Sequence, residues 1–281
     1  MKRWLLFFLA ASCVHAEEPV RIITAGGAIT ETVYALGAEN SLVGTDSSST
    51  FPEVAKKLPQ IGYARALSAE GILSLNPKLV LLTTDAGPPA VIEQLRAAGI
   101  DVRQLTADHT PEAVATRTAE IAQALQREKQ SAPLLADLER DLQTAQKSLT
   151  AVTTRPKVLF IYARGGGVMN VSGRDTAADS IIQLAGGTNA VTEYTGYKPL
   201  TAEGAVTTAP DVILITTSGL ESAGGKEGLL TQPGLALTPA GRNRRIVSMD
   251  DLLLLGFGPR LGKAVLELYA QLHPTPSTAQ R

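Results

Sequence analysis

The chain is predicted to fold as an α/β protein of two pseudo-symmetric lobes joined by a long helix, with a ligand cleft between them. Three observations predict it. The first is an internal echo. Ile61-Gly62-Tyr63-Ala64-Arg65-Ala66-Leu67-Ser68-Ala69-Glu70-Gly71 is answered by Gly196-Tyr197-Lys198-Pro199-Leu200-Thr201-Ala202-Glu203-Gly204. The match runs on, from Asn76-Pro77-Lys78-Leu79-Val80-Leu81-Leu82-Thr83-Thr84 to Ala209-Pro210-Asp211-Val212-Ile213-Leu214-Ile215-Thr216-Thr217. The offset is 133 positions from Leu67 to Leu200, from Glu70 to Glu203 and from Pro77 to Pro210. An offset held through a turn, a helix start and a strand marks two copies of one unit. The second observation is alternation of short apolar strands with helices, which argues parallel α/β layering. The third is a pair of helical stretches between the copies, where a rigid connector is expected.

Composition leaves room for this and closes other doors. At 281 residues, with 44% hydrophobic and 19% charged residues, the chain has ordinary globular composition. A formal net charge of -1 gives no general attraction to nucleic acid or to an anionic membrane. The N-terminus reads as a secretory signal over residues 1–16. Lys2 and Arg3 precede an apolar run from Trp4 to Ala11, and Val14-His15-Ala16 supplies small residues before Glu17-Glu18. Lipidation at Cys13 ranks second, because Ala10-Ala11-Ser12 lacks the expected Leu three residues before the cysteine. The mature chain is therefore expected to be exported, soluble and free of disulfides.

Taken in order, residues 17–128 are expected to form the first lobe. Val20 to Thr24 is an apolar strand, Ala25-Gly26-Gly27 a turn, Thr30 to Leu36 a helix and Leu42-Val43-Gly44 a strand. The Gly pair matches neither phosphate-loop pattern, so a tight strand-to-helix turn is the reading. A Ser/Thr-rich loop from Asp46 to Pro59 leads into the tyrosine motif, with a helix from about Ser68 to Leu75. Leu79 to Thr84 is nearly all apolar, as a strand covered on both faces should be. A helix from Pro88-Pro89 and a strand over Val102 to Leu105 complete the lobe. Pro111 to Gln126 and Ala132 to Leu149 are helical, and residues 129–152 are assigned to the connector. The second lobe spans 153–273: strands at Lys157 to Tyr162, Val168 to Val171, Val212 to Thr217 and Arg245 to Val247. Its helices are expected over Thr176 to Leu184, within Gly228 to Leu237, and over Pro259 to Leu272. Residues 274–281 are a tail.

The chemistry centres on Tyr63. A tyrosine at the lip of a loop is most often a packed aromatic, but Arg65 stands two residues away. A cation near a phenol favours phenolate, a hard anionic donor suited to ferric iron. A Tyr-x-Arg triplet is weak evidence alone. Among enzymes, a secreted hydrolase or nucleotide-dependent protein is the remote alternative. It is disfavoured because the chain has no Gly-x-Ser-x-Gly elbow, no phosphate loop and no mature cysteine.

The stretch Gly62 to Leu75 resembles the haem-binding periplasmic proteins of bacterial haem ABC importers. So do Gly173-Arg174-Asp175-Thr176-Ala177-Ala178-Asp179, Leu184 to Ala190, Gly196-Tyr197-Lys198-Pro199-Leu200 and Gly256-Phe257-Gly258-Pro259-Arg260. The resemblance covers nearly all of the mature chain and keeps the motif order. It implies a non-enzymatic periplasmic carrier that captures ferric haem and passes it to an inner-membrane permease dimer with its ATPase. An outer-membrane haem receptor would act upstream, and a monomer without nucleic-acid partners is expected. By the same resemblance Tyr63 is the axial iron ligand and Arg65 hydrogen-bonds its oxygen. Some members add a histidine near the position of Ala163-Arg164-Gly165, where this chain has none. One five-coordinate haem per chain is the expectation, with a second, stacked haem ranked lower.

In the second lobe Arg164 and Lys198 are the cations available to haem propionates, and Tyr197 is placed to stack on the ring or bond a propionate. Solvated charges and a turn aromatic are their ordinary roles. Arg260 is expected either in the cleft or capping the last helix. His109 and His273 are expected on the surface, and Met169 and Met249 in the core. Glu70 and Glu203 suit helix N-termini, and in the wider family matching carboxylates dock into arginine pockets on two permease subunits. The nearest alternative cargo is cobalamin or a ferric siderophore on the same fold.

Overall fold

The computed structural model describes residues 20–163 and 169–274. The expected leader with Cys13, the loop bearing Arg164 and the tail from 275 lie outside the described residues.

The first lobe is a four-stranded sheet in the order β2-β1-β3-β4, built from β1 (Ile22–Ala25), β2 (Leu42–Thr45), β3 (Leu79–Thr83) and β4 (Asp101–Leu105). Every pairing in it is parallel. Between the strands run α1 (Gly27–Ala35), α2 (Ala69–Leu73) and α3 (Pro89–Ala97). Ile23, Val80 and Leu82 pack one face and Ile22, Leu79 and Leu81 the other, so each strand alternates between two covered faces. Helix α1 starts three residues earlier than expected. Gly26 turns the chain at a φ of 129°, and a Cβ on Gly27 would strike the Ser48 carbonyl and the Leu252 side chain.

Two helices follow, α4 (Pro111–Ala124) and α5 (Glu128–Leu149). Helix α5 is the expected connector, and its apolar stripe serves both lobes. Leu134 packs on the first-lobe core with Ile121 and Leu125, whereas Leu138, Leu142 and Ala145 belong to the second-lobe core.

Among the described residues the second lobe carries six strands: β5 (Lys157–Ala163), β6 (Met169–Ser172), β7 (Thr188–Asn189), β8 (Tyr197–Pro199), β9 (Val212–Thr216) and β10 (Ile246–Met249). Its parallel part, β10-β9-β5 with β7 beside β5, repeats β4-β3-β1 with β2. What differs is the antiparallel addition of β6 and β8 on the β5 edge. The helices are α6 (Ala177–Leu184), α7 (Ala202–Thr208), α8 (Thr217–Ser222), α9 (Gly225–Leu230), α10 (Pro239–Arg242), α11 (Asp251–Leu255) and α12 (Leu261–Leu272). The expected helix within 228–237 resolves into α9 and a 3-10 turn at Leu235–Leu237. Met169 and Met249 are buried, as expected. No described helix is long and apolar enough to cross a membrane.

The echo is structural. Ser68 and Thr201 cap α2 and α7 by accepting from the backbone N–H of Gly71 and Gly204. Asn76 and Ala209, just before Pro77 and Pro210, both take the left-handed conformation, at φ 48° and 43°. Because both sheets are parallel at their centres, the loops leaving the carboxyl ends of β1 to β4 gather at one edge.

The lobes are tied together by buried and part-buried polar contacts. Arg260, from the loop before α12, donates to Glu31 of α1 through Nε (2.6 Å) and Nη2 (3.0 Å). The Glu31 side chain is only 4% exposed. Arg260 also lies over the Phe51 ring at 3.6 Å. It occupies the N-cap position of α12 without capping it; its role is the cross-lobe pair. Beside it, Arg117 of α4 donates to the Phe257 carbonyl and, at 2.6 Å, to the Thr106 carbonyl.

Burial raises Glu31 above the usual carboxylate range; its hydrogen bond and charge contact with Arg260 pull it back, and Asp250 adds to the rise. Removing Arg260 leaves that carboxylate buried and unpaired, at a cost of about 3 kcal/mol. A carboxyl with a raised folded pKa binds protons better folded than unfolded, so its stability contribution falls as pH rises through that pKa. Arg260→Ala should therefore melt earlier than wild type at about pH 7 and regain part of the loss at about pH 5 in thermal unfolding scans.

The loop that carries the tyrosine motif hangs on Asp46, which is fully buried. Its Oδ1 accepts from Gly26 N–H (2.9 Å) and Ser49 Oγ (2.9 Å), and its Oδ2 from Ser48 N–H (3.1 Å) and Ser48 Oγ (2.7 Å). Asp46→Ala strands these donors and should cost about 3 kcal/mol in chemical denaturation.

Candidate functional site

Tyr63 is delivered to the carboxyl edge of the first sheet by backbone bonds. Thr45 N–H donates to the Pro59 carbonyl (3.0 Å), Ile61 N–H to the Thr45 carbonyl (3.0 Å) and Ser47 N–H to the Gly62 carbonyl (2.8 Å). These bonds clamp both ends of the loop to β2 and the Asp46 corner. Gly62, at a φ of 94°, makes the bend that no side chain favours, and Tyr63 follows it half-buried.

Arg65 joins the tyrosine to a carboxylate. Its Nη1 donates to the Tyr63 hydroxyl oxygen at 2.9 Å, and its Nε (3.1 Å) and Nη2 both donate to Asp85 Oδ2. Asp85 stands just past the end of β3, and backbone bonds between Leu67 and Gly87 and between Gly87 and Ala64 lock its loop to the motif. Its hydrogen bond with Asp85 is the largest cause of the upward shift of the Arg65 guanidinium, with the Asp85 charge and Tyr63 adding to it. Burial pushes Asp85 up, but hydrogen bonds from Thr83 and Arg65 outweigh it and hold the carboxyl below its usual range. The fork is thus fixed at one end and presents one N–H to the phenol, a charge-assisted bond that strengthens on an anionic oxygen.

Tyr197 approaches from the other lobe. Its ring lies 5.6 Å from that of Tyr162, itself 6.5 Å from Phe160. The side chain is 43% exposed, yet its hydroxyl end is desolvated. Burial raises its phenol, against hydrogen bonds with Thr176 and Ser172, and the charge of Arg65 also reaches it. Lys198 points elsewhere: strand alternation puts it opposite Tyr197, and its Nζ rests 4.4 Å from the Tyr194 ring centre. Arg260 is engaged with Glu31, and Arg164 lies outside the described residues.

His109 and His273, expected on the surface, are both half-buried. His109 follows β4, half-buried, edge-on to Phe257 at 5.3 Å between ring centres. Burial, then the charge of Arg117, lowers its pKa, while Asp85 and Asp108 oppose them. His109 also borders a cavity of about 690 Å³ reaching along Leu142, Gln146, Gln183 and Val265. His273 stacks on Tyr269 at 5.0 Å, with a buried Nε2 that lacks a hydrogen bond. Sequence reasoning also missed Asp85 as the partner of Arg65, because 20 residues and a strand separate them. No group of three or more His, Cys, Asp or Glu suited to a metal ion occurs among the described residues.

Glu70 and Glu203 are exposed in the first turns of α2 and α7. They occupy equivalent places in the two lobes, seven residues after Tyr63 and six after Tyr197.

Residues 22–253 match the periplasmic binding protein family. Among solved structures, the chain is similar to the periplasmic heme-binding protein RhuT from Roseiflexus sp. RS-1 in apo form, with 44% identity and a TM-score of 0.86. That match covers 91% of this chain and all of the other. It is 45% identical to the periplasmic heme-binding protein BhuT solved with two hemes, at a TM-score of 0.85 over 90% of this chain and 97% of the other. A periplasmic heme-binding protein from Pseudomonas aeruginosa is 35% identical, at a TM-score of 0.84 over 92% of this chain and 94% of the other. Curated relatives include a substrate-binding lipoprotein of an ABC transporter in Bacillus subtilis, 28% identical over 92% of this chain and 81% of the other. A vitamin B12-binding protein of Pectobacterium atrosepticum is 26% identical over 96% of this chain and 94% of the other. The chain belongs to the periplasmic binding protein family.

Proposed function

We propose that this protein binds ferric haem in the cleft between its lobes and delivers it to an inner-membrane ABC importer. The observation that carries the proposal is the Tyr63–Arg65–Asp85 chain of hydrogen bonds, set in a fold shared with heme-binding proteins at 35 to 45% identity. Tyr63 supplies the anionic oxygen to the iron and Arg65 supports that oxygen. Tyr197 lies against the porphyrin from the second lobe as a neutral phenol. Arg164 is retained as a propionate contact from the sequence, whereas Lys198 and Arg260 have other partners.

The protein acts as a carrier rather than an enzyme, in the periplasm. Cleavage after Ala16 releases it, with anchoring at Cys13 the alternative that the Bacillus subtilis lipoprotein supports. Glu70 and Glu203 bind basic pockets on two permease subunits, and release follows because docking favours the state that holds haem weakly. The vitamin B12-binding relatives, at 24 to 29% identity, make cobalamin the second reading.

Hemin titration followed by visible absorption should saturate at one equivalent with a high-spin tyrosinate–ferric spectrum, and Tyr63→Ala should lose that spectrum. Saturation at two equivalents would favour the stacked pair held by BhuT. No change with hemin, and binding of cyanocobalamin, would replace haem by cobalamin. Asp85→Ala frees the Arg65 fork and should raise the hemin dissociation rate about tenfold, as loss of a charge-assisted hydrogen bond does; stopped-flow transfer to apomyoglobin measures it.

A further inference from the structure

Among the described residues, seven large hydrophobic side chains are exposed, and the 133-residue offset superposes two of them: Leu73, 37% exposed, and Val206, 43% exposed. Each lies three residues after a carboxylate, Leu73 after Glu70 and Val206 after Glu203, so each shares a helix face with it. The surroundings match as well. In both helices the residue before the exposed aliphatic is buried (Ile72, Ala205), and the residues on either side of that step are open to solvent. The two helices keep the same cap and the same left-handed exit. Two copies that have diverged in cleft chemistry have thus kept one acidic and one aliphatic group at equivalent outer places.

We infer that Leu73 and Val206 are the apolar halves of two matching footprints, each completed by its carboxylate, that dock on a two-fold membrane partner. The partner must offer, twice, a small apolar patch beside a basic group. This follows from charge complementarity to Glu70 and Glu203 and from the internal repeat. Isolated carboxylates at a water-exposed contact give steering and register more than affinity. The aliphatic pair supplies what they lack, since covering each side chain removes apolar surface from water. The inference rests on the docking role proposed for Glu70 and Glu203.

The experiment measures affinity of the hemin-loaded full chain for its cognate permease–ATPase complex in lipid nanodiscs. It compares wild type, Leu73→Ser, Val206→Ser, the double variant, the Glu70→Ala/Glu203→Ala pair and Val54→Ser. Val54 is exposed at 49% and lies in the 3-10 turn Glu53–Lys57, outside both footprints. Each single aliphatic change should weaken docking about tenfold and the double change about a hundredfold, with hemin binding and Val54→Ser unaffected. If the double aliphatic variant docks like wild type while the glutamate pair does not, this inference falls and the docking role stands. If the glutamate pair also docks like wild type, both fall, and the hemin titration still judges the cargo separately.

Discussion

An arginine of one lobe meets a buried carboxylate of the other, and the spacing of the lobes depends on that meeting. Separating Arg260 from Glu31 would leave a charge in a place that cannot solvate it. The same seam holds the Arg117 contact to the Phe257 carbonyl and the close approach of Leu252 to Gly27. Helix α5, with one apolar stripe divided between two cores, closes the far side. The lobes are therefore held at a set spacing before any ligand arrives, and loop positions within the cleft can be specified finely.

Within that frame the site is assembled by a relay of polar groups. Asp46 holds the corner, the corner holds the loop, and the loop sets Tyr63 at the edge of the sheet. Asp85 restrains Arg65, and Arg65 addresses the phenol oxygen. Across the cleft Tyr197 is desolvated at its hydroxyl and stays protonated. One phenol thus carries an arginine donor on its oxygen, and the other offers a ring face and a desolvated hydroxyl.

Much of this was legible in sequence. The repeat located α2, α7, β3 and β9, and apolar periodicity placed α5 within a few residues, because both depend on local pattern and spacing. Tyr63 and Arg65 were legible because they are neighbours in the chain. What escaped was tertiary. Asp85 lies beyond a strand, Glu31 is 229 residues from Arg260, and Phe257, which meets the half-buried His109 edge-on, is far from it in the chain. The strand β8 was missed because three residues paired to an added antiparallel edge carry no periodic signal. Lys198 was assigned to the cleft by its place beside Tyr197, yet a strand sends adjacent side chains to opposite sides.

The repeat also has a fault line. Three residues, Ala64-Arg65-Ala66, separate Tyr63 from Leu67, but only Lys198-Pro199 separate Tyr197 from Leu200, and the cation on that side, Lys198, rests on the Tyr194 ring. On the haem reading, a flat cargo is then bonded through one face and merely covered on the other. Such a one-handed grip makes the breaking of the iron–oxygen bond the central event of unloading.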